Sequence, residues 1–444
     1  MAQSLPFPEA EYGAPERRLA TLNAAKFTFV FAVFNLHQLS KSFAPLYGLL
    51  LLAATAMLGL DLLKTRIRLS RDGAIGLVLV GLYLMAAMAT YIHSLALISP
   101  IGATIGLVRF LFAFPVFLAA FAYIHTVEDL EKSLVSTTVV VAVLYLSIPW
   151  QIAFGQLSWL PSDYERGGFE RYASLLGNVT AVGIAVGFYL APALFLVRDT
   201  RLRLFLVVAL LISSAASLSK AAIMNVALVP LIGLAQGFIP QLRVWQNWSR
   251  SDVFKVGAVF VVSIAVALAI PSVRDRLLVN LASYGVESAE KADDVSIDQS
   301  IGERIFQHPK EIIDNLYKQY HEVGWITGAG FGMSSTALVP EKDQLSIMAH
   351  NEYFEFLGIG GIFYVLLFII IISYSIYKIL FHTLYSKNTV HRHVFATLIV
   401  IFINYVVNLP FANGLVYQPL QAATFWVLIY SSLVFTGHEK DDAV

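Results

Sequence analysis

The chain has 444 residues, 57% hydrophobic and only 14% charged, with a mean hydropathy of +0.70. Soluble domains carry roughly a quarter charged residues, so this composition points to a polytopic membrane protein. Formal net charge is zero, so no global basic field suggests nucleic acid, and the absence of cysteine excludes disulfides, thiolate catalysis and cysteine metal sites while leaving the redox compartment open.

The chain starts with Pro6, Pro8, Glu9, Glu11 and Pro15 ahead of Arg17 and Arg18, without a cationic start or a small-residue cleavage site, which reads as a mature tail and not a signal peptide. A membrane-crossing helix needs roughly 17 to 25 mostly apolar residues, and on that rule about twelve are expected. They fall near 24–40, 43–61, 73–92, 101–124, 133–154, 173–196, 203–218, 220–239, 254–271, 351–378, 393–410 and 416–436. The expected fold is all-α: a cytoplasmic tail at 1–22, nine spans across 23–271, a long outward loop at 272–349, three spans across 350–436 and a second cytoplasmic tail at 437–444.

Lys and Arg set the expected orientation. With both termini cytoplasmic, most of them fall on the inner side, and outside the long loop only Lys41, Arg166, Arg171 and Lys220 fall on the outer one. The long loop is left out of the comparison because long loops translocate largely regardless of charge.

That loop opens with an acidic, polar run holding Glu287, Glu290, Asp293, Asp294 and Asp298. Pro309 then suits the first turn of a helix, and Ile312, Ile313, Leu316, Tyr317 and Tyr320 recur at helical spacing, which predicts an amphipathic helix on the membrane surface or against the bundle. Gly324, Gly328, Gly330 and Gly332 follow as an irregular turn, with no buried strand before it to make a nucleotide loop. No solenoid repeat is visible, nor an inverted pair of broken hydrophobic segments of the transporter kind.

Charges at membrane depth or at its edge are costly and are candidates for function. Arg171 opens the sixth expected span, Lys220 stands between two apolar runs, Arg304 heads the loop helix, and His350 leads into the tenth span in the run His350-Asn351-Glu352. These four share the outer face, whereas Arg109 lies inside the fourth span. Each also has a plain structural reading: Arg171 and Lys220 as helix-end cations snorkelling to headgroups, Arg304 as a solvated ion pair with Glu303, His350 as an interfacial histidine, and Arg109 as half of a salt bridge within the bundle. Glu352 and Glu355 are placed to orient His350 or to serve as helix-start acids. No His-x-x-x-His pair or paired acidic constellation on the outer face suggests a metal, and no cofactor is expected.

From about Arg171 to Gly361 the chain resembles the O-antigen ligase and O-antigen polymerase superfamily of bacterial membrane glycosyltransferases. The likeness rests on the order of short motifs: Arg171 with Gly177-Asn178 after it, Ser217-Leu218-Ser219-Lys220, an Arg near a loop helix, Gly328-Ala329-Gly330-Phe331-Gly332, and His350-Asn351 entering a span that carries Gly358-Ile359-Gly360-Gly361. The resemblance implies a C-shaped, GT-C-like fold in the bacterial inner membrane. It also implies transfer of a glycan from an undecaprenyl diphosphate donor to a hydroxyl of a lipid-linked or glycan acceptor at the periplasmic face, without metal.

By the same resemblance His350 would be the general base or would position the acceptor hydroxyl. Arg171, Arg304 and Lys220 would hold the diphosphate, with Asn351, Glu352 and Arg109 as possible support. Lys220 departs from the family's usual Arg and offers a point charge in place of a planar fork. Ligase and repeat-unit polymerase share this donor, and the ligase side is slightly favoured. A lipid-linked glycan transporter or flippase is the non-enzymatic alternative.

Overall fold

The computed structural model describes residues 14–65, 70–97, 100–160, 162–166, 169–177, 179–217, 219–245, 248, 250–269, 274, 306–331, 351–411 and 418–435. In chain order they form α1 (Ala14–Asn35), the single turn α2 (Leu39–Ser42), α3 (Ala44–Lys64), α4 (Arg71–Leu97), α5 (Pro100–Leu111), α6 (Phe114–Tyr123), α7 (Val127–Tyr145) and α8 (Ser147–Phe154). A hairpin of β1 (Ser162–Arg166) and β2 (Phe169–Tyr172) leads to α9 (Val179–Phe195), α10 (Thr200–Ala216), α11 (Lys220–Gln236) and α12 (Arg250–Ala269). Then come α13 (His308–Thr327), α14 (Glu352–Tyr385), α15 (Thr389–Asn408) and α16 (Pro419–Ile429), the last running into a π turn at Tyr430–Val434.

Six helical stretches among the described residues are long and apolar enough to cross a membrane: Ala44–Lys64, Arg71–Leu97, Pro100–Tyr123, Val127–Phe154, Glu352–Tyr385 and Thr389–Asn408. Shorter apolar helices occupy Ala181–Phe195, Met224–Gln236 and Pro419–Val434. Helix α3 turns Leu49, Leu52 and Leu63 outward at 66%, 66% and 87% exposure. Such a band belongs against lipid, where it has no water to order, and the chain has the build of a multi-pass membrane protein.

Helix α9 lies at the centre. Every residue from Ala181 to Val197 is buried, and α7, α10, α11, α15 and α16 pack around it. A helix that is apolar all round is a core helix by this logic.

One end of the bundle is tied by ions. Lys26 Nζ lies 2.8 Å from Asp61 Oδ2, which also accepts a hydrogen bond from the Tyr123 hydroxyl at 3.1 Å. Arg198 pairs with Glu131 at 3.1 Å, and Lys378 pairs with Asp72. Nearby, Thr126 and Asp129 form a reciprocal capping box that fixes the start of α7.

Several expected spans are interrupted. Pro115, in the first turn of α6, separates it from α5, because it has no N–H to continue the ladder. Helix α14 contains Gly361 at φ 71° and ψ −172°, a positive-φ conformation that glycine adopts without a Cβ penalty. The span expected from 173 begins only at Val179: residues Phe169–Tyr172 are extended, and Ser174 and Gly177 close a small bridged turn. Arg171 therefore stands on strand β2 opposite Asp163, and it does not open a transmembrane helix.

Candidate functional site

The start of α14 is built from its own polar residues. Asn351 is the N-cap, extended at φ −152° and ψ 114°, and its side-chain oxygen accepts the Tyr353 N–H at 3.2 Å while its carbonyl accepts the Glu355 N–H at 2.9 Å. That cap satisfies donors that a helix N-terminus leaves orphaned. Glu352 is fully buried and Glu355 is 3% exposed, so two carboxylates sit inside the protein in the first turn, at the positive end of the helix dipole. The Glu352 carboxylate is within electrostatic reach of the phenols of Tyr353, Tyr364 and Tyr405.

A glycine turn is strapped across this helix. After α13, Ala329 N–H donates to the Gly358 carbonyl at 2.6 Å and Gly330 N–H to the Ile359 carbonyl at 2.8 Å, pairing the turn with backbone that the break in α14 releases. Phe331 N–H donates to Ser94 Oγ at 2.6 Å, and the His93 ring lies 3.3 Å from the Gly328 carbonyl, so α4 holds the other side of the turn. Gly328 and Gly330 have φ of 69° and 89°. A Cβ on Gly328 would strike the Ile359 carbonyl, and one on Gly361 the Ile326 carbonyl. These glycines permit backbone to touch backbone, a use distinct from a phosphate loop.

Beside α14 a cluster of asparagines joins three helices. Asn404 Nδ2 and Asn408 Nδ2 both donate to Asn225 Oδ1, at 3.1 and 2.9 Å, and Asn225 Nδ2 donates to the Gly183 carbonyl at 3.0 Å. Gly187 leaves room for it, since a Cβ there would strike the Asn404 side chain, whereas a Cβ on Gly183 would strike Ser219 just before α11. Asn404 and Asn408 lie on α15, which packs against α14.

The sequence candidates are thus placed unequally. Asn351 and Glu352 come together at the head of α14. Lys220 is the first residue of α11, one turn and a half before Asn225, and Arg171 lies on β2. Arg109 lies in the last turn of α5, next to Phe110, whose ring packs at 5.5 Å from Phe331 and 6.3 Å from Tyr364. Arg109 therefore stands on the helix segment that braces the glycine turn. His350 and Arg304 fall outside the described residues.

The asparagine cluster is not among the residues singled out from the sequence, where its signal is Asn404 and Asn408 spaced i, i+4 within an apolar run, and neither is the burial of Glu355. Chemically, the head of α14 offers two carboxylates and a capped helix N-terminus. Among the described residues no three His, Asp or Glu side chains converge as metal ligands. In comparisons with known proteins, no family model, curated protein or solved structure matches the chain.

Proposed function

We propose that the chain is a membrane glycosyltransferase of the O-antigen ligase type. In this reading about twelve spans place both termini in the cytoplasm and residues 272–349 in the periplasm of a bacterial inner membrane. The donor is a glycan on undecaprenyl diphosphate, and the acceptor is a sugar hydroxyl on a lipid-linked or other glycan.

The observation that carries the reading is the head of α14, where the His350-Asn351-Glu352 run ends in a buried carboxylate in the first turn of a helix capped by Asn351. The acceptor oxygen forms a bond to the anomeric carbon as the bond from that carbon to the diphosphate oxygen breaks. The hydroxyl proton passes to His350, which Glu352 is spaced to orient, and the leaving diphosphate carries away the electron pair. Arg171, Arg304 and Lys220 supply the cations that a departing diphosphate needs, with arginine the better fork for phosphate oxygens. A repeat-unit polymerase would use the same donor and the same groups.

Purified protein given lipid-linked donor and acceptor tests this reading. The wild type forms the transferred glycan, and His350→Ala and Arg171→Ala do not; wild-type rates in both variants reject the site. A second reading, a lipid-linked glycan flippase, draws on the breaks in the α5–α6 and α14 helices, since transporters place their sites at interrupted helices. Donor crossing the bilayer of proteoliposomes with no product formed favours it.

A further inference from the structure

At the opposite end of α14 from the glycine turn, a cavity of about 350 Å³ opens where the ends of α4, α7, α14 and α15 meet. Arg71, His382 and His391 line it, along with the hydroxyl-bearing Ser70 and Tyr385. Asp72, the one carboxylate among the described residues of the lining, is engaged by Lys378 and also feels the charges of Arg71 and His382, so that Lys378 and Arg71 together outweigh it and the lining keeps a basic character. The sequence leading into it, Lys64, Arg66, Arg68 and Arg71, is the densest basic run among the expected inner loops.

An apolar track leads out of this cavity. Tyr374, Tyr377, Phe381 and Tyr385 recur every three or four residues along α14, with successive ring centroids 6.2, 6.2 and 4.7 Å apart. Tyr377, Phe381 and Tyr385 are 57%, 43% and 70% exposed. Eleven residues of helix at 1.5 Å each make a track of about 16 Å, close to one leaflet of a hydrocarbon core about 30 Å thick. A soluble anion has no use for such a track, whereas an acyl chain does.

We propose that this cavity binds the phosphate headgroup of an anionic membrane phospholipid, with Arg71, His382 and His391 around the phosphate and an acyl chain along the aromatic ladder of α14. The chemistry is that of basic pockets between membrane helices, where a fixed cation and hydrogen-bond donors meet a phosphodiester at the headgroup level. The site is remote from the head of α14 and does not rest on the glycan-transfer reading.

The test uses the full chain in phosphatidylcholine nanodiscs with and without phosphatidylglycerol. Native mass spectrometry of the released protein should retain phosphatidylglycerol in preference to phosphatidylcholine, and hydrogen exchange of the wild type should slow at 379–391 when phosphatidylglycerol is present. Arg71→Gln should weaken retention about fivefold, and Arg71→Lys should keep most of it. Glycerophosphate and inorganic phosphate form the separate arm: protection of 379–391 by either, equal to that by the lipid, assigns the cavity to a soluble anion and overturns the proposal. Retention with no preference for the anionic lipid, unchanged exchange at 379–391, or undiminished retention in Arg71→Gln also overturns it. The exchange measurement needs no variant, so a poorly folding substitution leaves the proposal exposed to refutation.

Discussion

Ala329 donates its N–H to the carbonyl of Gly358 at 2.6 Å, joining the turn after an amphipathic helix to the point where a 34-residue membrane helix breaks. A break in a helix apolar enough to cross a membrane releases carbonyls that lipid could not satisfy, and here the glycine turn supplies the donors. The two irregularities therefore depend on each other.

Substitution at the contact should show this dependence. Gly328→Ala and Gly361→Ala each place a Cβ against a carbonyl at a positive φ, and each is expected to cost about 2 kcal/mol or more. Gly358→Ala is the control, since its Cβ would meet only Ile312 at 3.7 Å. Thermal unfolding in detergent should rank Gly358→Ala as the mildest of the three; equal melting temperatures would remove the argument for a close backbone contact.

The asparagine cluster makes a different prediction. Asn225→Leu removes the acceptor shared by Asn404 and Asn408, and it leaves the Gly183 carbonyl without its 3.0 Å partner. Hydrogen bonds between membrane helices average well under 2 kcal/mol, so a loss of about 1 kcal/mol is expected for Asn225→Leu. A double-mutant cycle of Asn225→Leu with Asn408→Leu, followed by reversible unfolding, should be non-additive by about 0.5 kcal/mol or more. Strict additivity would mean that the two side chains do not act together.

Much of the frame was legible in the sequence because apolar length is a strong signal: the runs near 43–61, 73–92 and 393–410 appear as α3, α4 and α15. Pro309 does begin a helix, and Leu316 faces inward from it. What hydropathy does not carry is where a helix breaks or what pairs with what. Gly361 sits in a run as apolar as its neighbours, and its φ of 71° follows from the contact with α13, not from local composition. Hydropathy puts Arg171 at a span's start for a related reason, since the apolar stretch after it conceals the turn at Ser174–Gly177 that separates its strand from α9. Of the candidate site, the head of α14 is visible as a His-Asn-Glu run, but the burial of its carboxylates is set by tertiary packing that no local pattern carries.

The proposed orientation can be mapped directly because the chain has no cysteine of its own. Ser300→Cys lies in the segment placed outside, and Lys387→Cys in the connection between α14 and α15 placed inside. In intact spheroplasts a membrane-impermeant maleimide should label the first and not the second, and permeabilisation should expose both. The reverse pattern would put the head of α14 on the cytoplasmic side, where a periplasmic transferase could not use it.

Glu352 separates catalysis from architecture at that site. It is fully buried in the first turn of α14, two residues after His350, and Gln retains its shape and its capacity to hydrogen-bond while removing the charge. If Glu352 orients and polarises a general base, Glu352→Gln should fold like wild type and lower kcat by about tenfold or more with KM for the donor little changed, because the loss falls on the transition state. His350→Ala should lose about 10²–10⁴-fold in kcat, the range expected for removing a general base. The double variant should then be scarcely worse than His350→Ala alone, since a positioning carboxylate has nothing to act on once the imidazole is gone. Independent, multiplying losses in a steady-state assay with lipid-linked donor would instead assign Glu352 its own contact with the substrate.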